Sequence, residues 1–349
     1  MKNLLLTLDY ELYGNGSGDI YSHLIIPTQR ILELAKKYNV RITIFVEMVE
    51  FLRIEDEWLL GNDMGFSRNP IEDVRQQLLN AYKAGHDIQL HIHPQWVNAI
   101  YTNGKWNVDF ENWRLSDFNS QDGNSLKHLI ADAKSKLEAW IHKIDPLYEC
   151  IAIRAGGYNV QPSDRIVSVM LETGLMIDSS IYPGGKEDGF LSNYDYTDIK
   201  PDCAFWHIGD TLENEGESRI VELPIVAFPI MRLYKYLSIS RLKALLQNVH
   251  SARMAFNSKI ENKKASPFLN KFKFFFQREW LTWDYCLFSP RMHKLFINEI
   301  CKQKQRSVFT LVGHPKGFTT DKGLVFLFQS TIQDFSFMTL RDFYETFKS

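Results

Sequence analysis

The feature that most restricts the fold of this chain is the repeated alternation of short apolar runs with segments of helical hydrophobic spacing. Such alternation predicts strand–helix units arranged around a mainly parallel sheet. We predict strands at residues 4–8, 41–46, 87–93, 150–154, 175–179, 219–223 and 307–312. Helices are predicted at residues 27–37, 71–84, 126–142, 163–173, 240–250 and 290–304, and a last one begins at residue 340.

Because most predicted strands are followed by a helix, we expect an α/β fold in the form of a distorted (β/α) barrel of about seven strands. The length of 349 residues suits one elaborated barrel, so residues 1–349 are predicted to form a single domain. The segment 257–283 differs in composition, with a lysine-rich start and the aromatic residues Phe272, Phe274, Phe275, Phe276, Trp280 and Trp283. We interpret it as an insertion or lid; peripheral contact with a membrane that presents a lipid-linked glycan is the alternative.

The charge balance bears on the partners of the chain. Lysine and arginine number 40 and aspartate and glutamate 42, so no overall basic field favours nucleic acid. The apolar run at residues 4–8 is shorter than the ~7–15 residues of a secretory signal, and no run approaches the ~18 apolar residues of a membrane span. The cysteines are widely spaced, at Cys150, Cys203, Cys286 and Cys301, which favours free thiols over disulfides. We therefore expect a cytoplasmic protein.

Two histidines mark the end of the third predicted strand. Side chains two residues apart on a strand point to the same face, so His91 and His93 present their imidazoles side by side. Pro94 has no N–H group to donate and indicates the C-terminal end of this strand, which is where active sites of strand–helix barrels assemble. The simpler interpretation is a pair of buried, hydrogen-bonded histidines. The functional interpretation is that the pair supplies two of the three protein ligands of a metal site.

Two carboxylates occur at the C-terminal end of the first predicted strand. Asp9 and Glu11 follow an apolar run that cannot leave a carboxylate buried without a cation or hydrogen-bond partners. A solvated turn would also explain them. Together with His91 and His93, however, one of these carboxylates could complete a two-histidine, one-carboxylate shell with open positions for water.

These motifs resemble, in order, those of the polysaccharide deacetylase family with its NodB-homology barrel. Residues 7–11 (Thr-Leu-Asp-Tyr-Glu) stand where that family has Thr-aromatic-Asp-Asp, and residues 85–91 match the segment that leads into its second motif. Residues 153–158 (Ile-Arg-Ala-Gly-Gly-Tyr) are similar to its Arg-x-Pro-x-Gly motif, and residues 310–315 to its final histidine motif. The second strand, residues 43–46, also resembles the strand that the family has at this point. Taken together, these motifs extend the resemblance over residues 2 to 315.

The chain departs from the family pattern at two points. Only Ile92 separates the two histidines, where the family usually has three residues. Tyr10 replaces the second aspartate, usually a metal ligand, which suggests that Glu11 takes over this role and Asp9 remains the general base. The reverse assignment of Asp9 and Glu11 stays open, because both side chains are expected to face the site.

The resemblance implies a hydrolase that uses one divalent metal ion, with zinc the first choice. It implies Glu11, His91 and His93 as ligands, Asp9 as general base, His314 as general acid and Arg154 as the residue that orients the base. Tyr158 and Trp206 are expected to contact a carbohydrate substrate, although a core position would equally suit Trp206. Asp178 is a candidate supporting residue or a turn cap, and the role of Glu222 is left open.

The expected reaction is deacetylation of an N-acetylated sugar during cell-surface polysaccharide synthesis in a bacterial cell. Hydrolysis of a cyclic amide or imide, as in allantoinases, is the alternative within the same family. A barrel that binds a glycan or a partner without catalysis is the alternative from another class. The sequence makes no prediction of the oligomeric state.

Overall fold

The structure is a computed structural model that describes residues 2–118, 125–233 and 277–347. The predicted helix at 240–250 and residues 257–276 of the predicted insertion lie outside the described residues. The strands are β1 Lys2–Tyr10, β2 Thr43–Glu47, β3 Asp87–Ile92, β4 Ile100–Thr102, β5 Lys105–Asn107, β6 Ala152–Ala155, β7 Ile177–Asp178, β8 Lys186–Asp188, β9 Asn193–Asp195, β10 Trp206–His207, β11 Val221–Glu222, β12 Ala227–Met231, β13 Arg278–Thr282, β14 Val308–Gly313 and β15 Phe335–Phe337.

The helices pack outside the strands. They are α1 Ile26–Lys37, α2 Met48–Leu59, α3 Pro70–Lys83, α4 Ser125–Ile141, α5 Asp164–Thr173, α6 Pro290–Lys302, α7 Lys322–Thr331 and α8 Leu340–Phe347. Short 3-10 turns follow three of the strands, at Pro94–Trp96 after β3, Gly156–Tyr158 after β6 and Pro315–Gly317 after β14. No helix among these residues combines the length and the apolar character needed to cross a bilayer.

A curled sheet of nine strands organises the fold. Eight of them follow the order β10-β11-β7-β6-β3-β2-β1-β14, and β15 also pairs with β1. All pairs are parallel except that of β10 with β11. The chain after β11 returns to the opposite end of the sheet, where Ile225 bridges to Thr310 of β14. The C-terminal ends of the parallel strands therefore surround one region.

The two faces of β1 show how the sequence places polar groups there. Leu4, Leu6 and Leu8 belong to the larger hydrophobic core cluster, whereas Leu5 packs in a second cluster with Phe45 and residues of the other strands. Because side chains alternate along a strand, Thr7, Asp9 and Glu11 share the face of Leu5. This face thus changes from apolar at Leu5 to polar at the C-terminal end of the strand.

All seven predicted strands are present, and β10 and β15 complete the nine-stranded sheet. Both are too short, at two and three residues, to show a periodic pattern. The helices α2 and α7 were also missed, and in the case of α2 the strand β2 passes into the helix without a turn. The Glu47 side chain caps this helix by accepting the N–H groups of Val49 and Glu50.

The described part of the predicted insertion joins the folded body. Its residues 278–282 form β13, which pairs antiparallel with β12, and Trp283 is fully buried. The four cysteines are all free thiols, as their spacing predicts.

Candidate metal centre

Glu11, His91 and His93 meet at the C-terminal ends of β1 and β3. Their candidate ligand atoms all lie within 4.8 Å of one another. Oε2 of Glu11 is 2.6 Å from Nε2 of His93 and 3.4 Å from Nε2 of His91. All three side chains are buried. The structure therefore brings together the three residues predicted as ligands.

The hydrogen bonds around the two imidazoles fix the orientation of both rings. Nδ1 of His91 donates its hydrogen to the carbonyl oxygen of Arg154 at 2.8 Å, which turns Nε2 toward Glu11. Nδ1 of His93 lies 2.9 Å from the side-chain amide of Gln95. Nε2 of either histidine is buried and has the Oε2 atom of Glu11 as its near polar neighbour. Two nitrogens and a carboxylate oxygen form a donor set that zinc and other divalent metals accept.

Asp9 is bound to Arg154 beside this cluster. The Arg154 guanidinium, fully buried, donates to Oδ1 of Asp9 at 2.6 Å and is held by the carbonyl and hydroxyl oxygens of Ser179. The other oxygen of Asp9 is 3.5 Å from Nε2 of His314. Burial alone would raise the pKa of Asp9, but the charge of Arg154 and those of two histidines outweigh it and lower this pKa.

His314 completes the group from the end of β14, and Asp284 holds it there. Nδ1 of His314 donates to Oδ2 of Asp284 at 2.8 Å. Oδ1 of Asp284 accepts the N–H groups of Cys286 and Leu287, which fixes the carboxylate. Burial alone would lower the pKa of His314, but the hydrogen bond and charge of Asp284 outweigh it and raise this pKa.

Sequence analysis did not single out Asp284, although a signal was available. The acid stands between Trp283 and Tyr285, and all three are buried. A carboxylate among aromatic residues needs a partner, and here the partner is His314.

Lys316 was also missed. Its ammonium donates to Oε1 of Glu11 and to the carbonyl oxygen of Leu12, at 2.8 and 2.5 Å. Burial alone would raise the pKa of Glu11, but the charges of Lys316 and His93 and the hydrogen bonds with His91 and His93 hold it well below its usual value.

Two further buried acids, Glu47 and Glu50, lie near the cluster. Oε2 of Glu50 accepts the N–H of Leu12 at 3.1 Å. Burial raises the pKa of Glu50 to about 8, with a contribution from the charge of Glu11. Burial, followed by the charges of Glu50 and Glu11, raises the pKa of Glu47 well above its usual value. Within this small region, two acids thus favour the ionised form and two the protonated form.

Partly exposed aromatic side chains border the centre. Tyr158 follows Gly157 in the third motif, and both residues have left-handed backbones, with φ of 63° and 60°. A tyrosine is uncommon in this region of φ, and such strain concentrates at functional sites. Trp113, which sequence analysis missed, lies edge-on to His93 with ring centroids 6.2 Å apart.

The structure does not bring Trp206 to this group. It lies on β10, separated from β1 by five strands, and its indole is buried with its N–H donating to the Leu212 carbonyl. Trp206 therefore occupies a core position, which was the alternative to substrate contact. Asp178 and Glu222 are buried neighbours on β7 and β11, and burial raises the pKa of both carboxyls.

No protein-family model and no curated protein matches this chain. Among solved structures, one assigned as a polysaccharide deacetylase from Mycobacterium smegmatis is 12% identical over 99% of this chain and 90% of that chain, with a TM-score of 0.49. Another, assigned as a polysaccharide deacetylase from Pseudomonas aeruginosa PAO1, is 13% identical over 99% and 92%, with a TM-score of 0.47. The PuuE allantoinase is 12% identical over 99% and 91%, with a TM-score of 0.45. Because these TM-scores are below 0.5, the similarities carry no argument about this chain.

Proposed function

We propose that this protein is a metal-dependent hydrolase that removes an acyl group, most simply acetyl, from the nitrogen of a sugar. The observation that carries the proposal is the buried cluster of Glu11, His91 and His93, whose candidate ligand atoms all lie within 4.8 Å of one another. The ion pairs of Asp9 with Arg154 and of His314 with Asp284 lie beside it. A barrel of one domain, in which 257–283 is an insertion, is the fold that we propose around this site.

A divalent cation held by these three residues, with zinc our first choice, would supply Lewis acidity that polarises an acyl carbonyl and acidifies a water molecule. The remaining steps belong to the side chains. Asp9, kept ionised by Arg154, accepts a proton from the attacking water. His314, kept protonated by Asp284, donates a proton to the departing amine as the carbon–nitrogen bond breaks. The products are a carboxylate and a free amine.

The assignment of Glu11 as ligand and Asp9 as base is supported by their different contacts. Glu11 is the carboxylate whose oxygen lies within reach of both Nε2 atoms. Asp9 instead places one oxygen on Arg154 and the other near Nε2 of His314, 3.5 Å away. This position suits a general base, because the base must reach the proton of the attacking water and need not bind the cation.

A carbohydrate substrate is supported by the aromatic border of the centre. Trp113, Tyr158 and Tyr13 are partly exposed, and aromatic faces are frequent linings of sites that bind small organic ligands. We propose a role in cell-surface polysaccharide synthesis and a cytoplasmic location on the basis of the sequence motifs and cysteine spacing described above. Contact of residues 257–283 with a membrane stays a prediction.

The test is an activity assay of the purified protein loaded with zinc. N-acetylated sugars should release acetate, whereas cyclic ureides should remain intact. His91→Ala with His93→Ala should abolish both zinc retention and acetate release. Replacement of the exposed His128 by alanine is the control and should change neither.

Other outcomes would favour the alternatives. Hydrolysis of ureides without acetate release would favour a cyclic amide or imide as substrate. A protein that retains no zinc and releases no product, but binds glycan equally well after both histidine substitutions, would be a non-catalytic binding barrel.

A further inference from the structure

The carboxylates of Asp9 and Glu11, two residues apart at the end of β1, are held in the same way. Each places one oxygen on a cationic side chain: Oδ1 of Asp9 on Arg154 at 2.6 Å, and Oε1 of Glu11 on Lys316 at 2.8 Å. Each turns its other oxygen toward histidine, since Oδ2 of Asp9 faces His314 and Oε2 of Glu11 faces the two ligand candidates. Lys316 therefore holds one oxygen of Glu11 in the same way that Arg154 holds one oxygen of Asp9.

The ammonium of Lys316 is fixed at several points. Besides Glu11, it donates to the carbonyl oxygen of Leu12 at 2.5 Å and lies 5.5 Å from the centre of the Tyr13 ring. Its side chain is only 16% exposed. The lysine lies two residues after His314, in the short turn Pro315–Gly317, so its backbone is anchored beside the centre. A freely moving surface lysine would have none of these restraints.

This placement bears on how Glu11 can bind a cation. A carboxylate can use one oxygen or both, and the second mode needs both oxygens at bonding distance from the ion. Oε1 already accepts a hydrogen from Lys316, and the positive ammonium repels a second cation from that side. Oε2, in contrast, lies 2.6 Å from Nε2 of His93 and 3.4 Å from Nε2 of His91. Hydrogen bonds from neighbouring side chains commonly orient ligand carboxylates in this manner.

We propose that Lys316 is a positioning residue that restricts Glu11 to bind the metal through Oε2 alone. This inference rests on the proposed metal site but goes beyond it, because it assigns a coordination mode and the residue that imposes it. A lysine that merely stabilised the fold through an ion pair would leave the coordination of the metal unchanged.

The experiment uses Co²⁺ as the probe, because its visible absorption reports the number and arrangement of its ligands. The full chain is freed of metal, titrated with Co²⁺, and compared with Lys316→Met and Lys316→Arg. We expect Lys316→Met to shift or weaken the visible bands, because Glu11 can then bind through both oxygens. Lys316→Arg keeps a cationic donor and should keep the bands of the original protein.

The matched control is Lys134→Met. Lys134 also pairs with a glutamate, Glu138 at 2.6 Å, and its side chain is also 16% exposed, but it lies on α4. This variant should leave the Co²⁺ spectrum unchanged. Crystals of the Co²⁺-loaded proteins should show one Glu11 oxygen on the ion in the original chain and two in Lys316→Met.

The outcomes separate the two proposals. An unchanged spectrum in Lys316→Met, or an equal change in Lys316→Arg, would overturn the role of Lys316 while leaving the metal site intact. Absence of Co²⁺ binding by the unsubstituted chain would overturn the metal site and this inference with it. If Lys316→Met does not fold, as judged by circular dichroism, Lys316→Leu, which also has no hydrogen-bond donor, replaces it with the same expectation.

Discussion

At the scale of single residues, the contrast among four neighbouring buried acids is the most informative feature of the centre. Asp9 and Glu11 touch Arg154 and Lys316, and their pKa values are lowered. Glu47 and Glu50 are equally buried, and their pKa values are raised. Contact with a cation therefore decides which carboxylate is ready to accept a proton or bind a metal. Environments that separate similar groups in this way are typical of acid–base sites.

The first prediction concerns Asp284→Asn. Asp284 is the main group that raises the pKa of His314, so its amide variant should lower that pKa. His314 must be protonated to act as an acid, so activity declines as pH rises through its pKa. In the variant this decline should begin at lower pH, with a loss of at least about tenfold in kcat at pH 8 and a smaller one at pH 6. A pH profile of kcat measures it.

Asp145→Asn is the control for this substitution. Asp145 also accepts hydrogen bonds from neighbouring groups, Tyr82 and the N–H of Leu147, and has no part in the centre. Its pH profile should match that of the original protein. A parallel fall in the activity of Asp284→Asn at every pH would argue against a proton held on His314 by Asp284.

At the scale of secondary-structure elements, close packing of the turn after β6 against the end of β3 sets the position of His93. A Cβ atom added to Gly156 would lie 2.4 Å from Nδ1 of His93, well inside van der Waals contact. The glycine is therefore required by the approach of the two elements. Gly156 lies two residues after Arg154, so the same short segment contains the residue that holds Asp9 and the contact that positions the proposed ligand His93.

The second prediction is that Gly156→Ala displaces His93 and weakens metal binding. Changes in the surroundings of a metal ligand commonly lower affinity by roughly 10–100-fold, and we expect a loss of this size. Competition with a zinc chelator measures it. Gly189→Ala is the control, since its nearest contact would be an ordinary 3.5 Å from the oxygen of Ser192. Equal zinc affinities in the two variants would contradict the packing argument.

At the scale of the whole molecule, the parallel sheet is what assembles the centre. Asp9, His91, Arg154 and His314 lie far apart along the chain, but each occurs at or near the C-terminal end of a parallel strand. The neighbouring pairs β1–β14, β1–β2, β2–β3 and β3–β6 place those ends in one region. A metal bound to the proposed ligands would connect β1 with β3.

The third prediction follows from this connection. A metal that binds only the folded chain stabilises it by about 2.7 kcal/mol at a free concentration 100 times its Kd. Zinc should therefore raise the free energy of unfolding by about this amount, and the double substitution of His91 and His93 by alanine should remove the effect. Urea unfolding with zinc and with a chelator measures it. The same stabilisation in the double variant would show that zinc binds elsewhere.

The order of strands and helices was largely predictable, because apolar periodicity over several residues is a local property of the sequence. The prediction missed β10 and β15, which are too short to show a periodic pattern. It also missed the helices α2 and α7, although their apolar residues do recur at helical spacing. The three candidate ligands were likewise predictable: strand alternation places His91 beside His93, and a buried acid after an apolar run requires a partner.

By itself, then, the sequence determined the alternating elements and the polar groups at the ends of particular strands. Only the tertiary structure decided how these groups pair, because the partners come from distant parts of the chain. It formed the ion pairs of Lys316 with Glu11 and of Asp284 with His314, and it buried Trp206 in the core. Such contacts depend on strand order and close packing, which no local pattern of residues encodes.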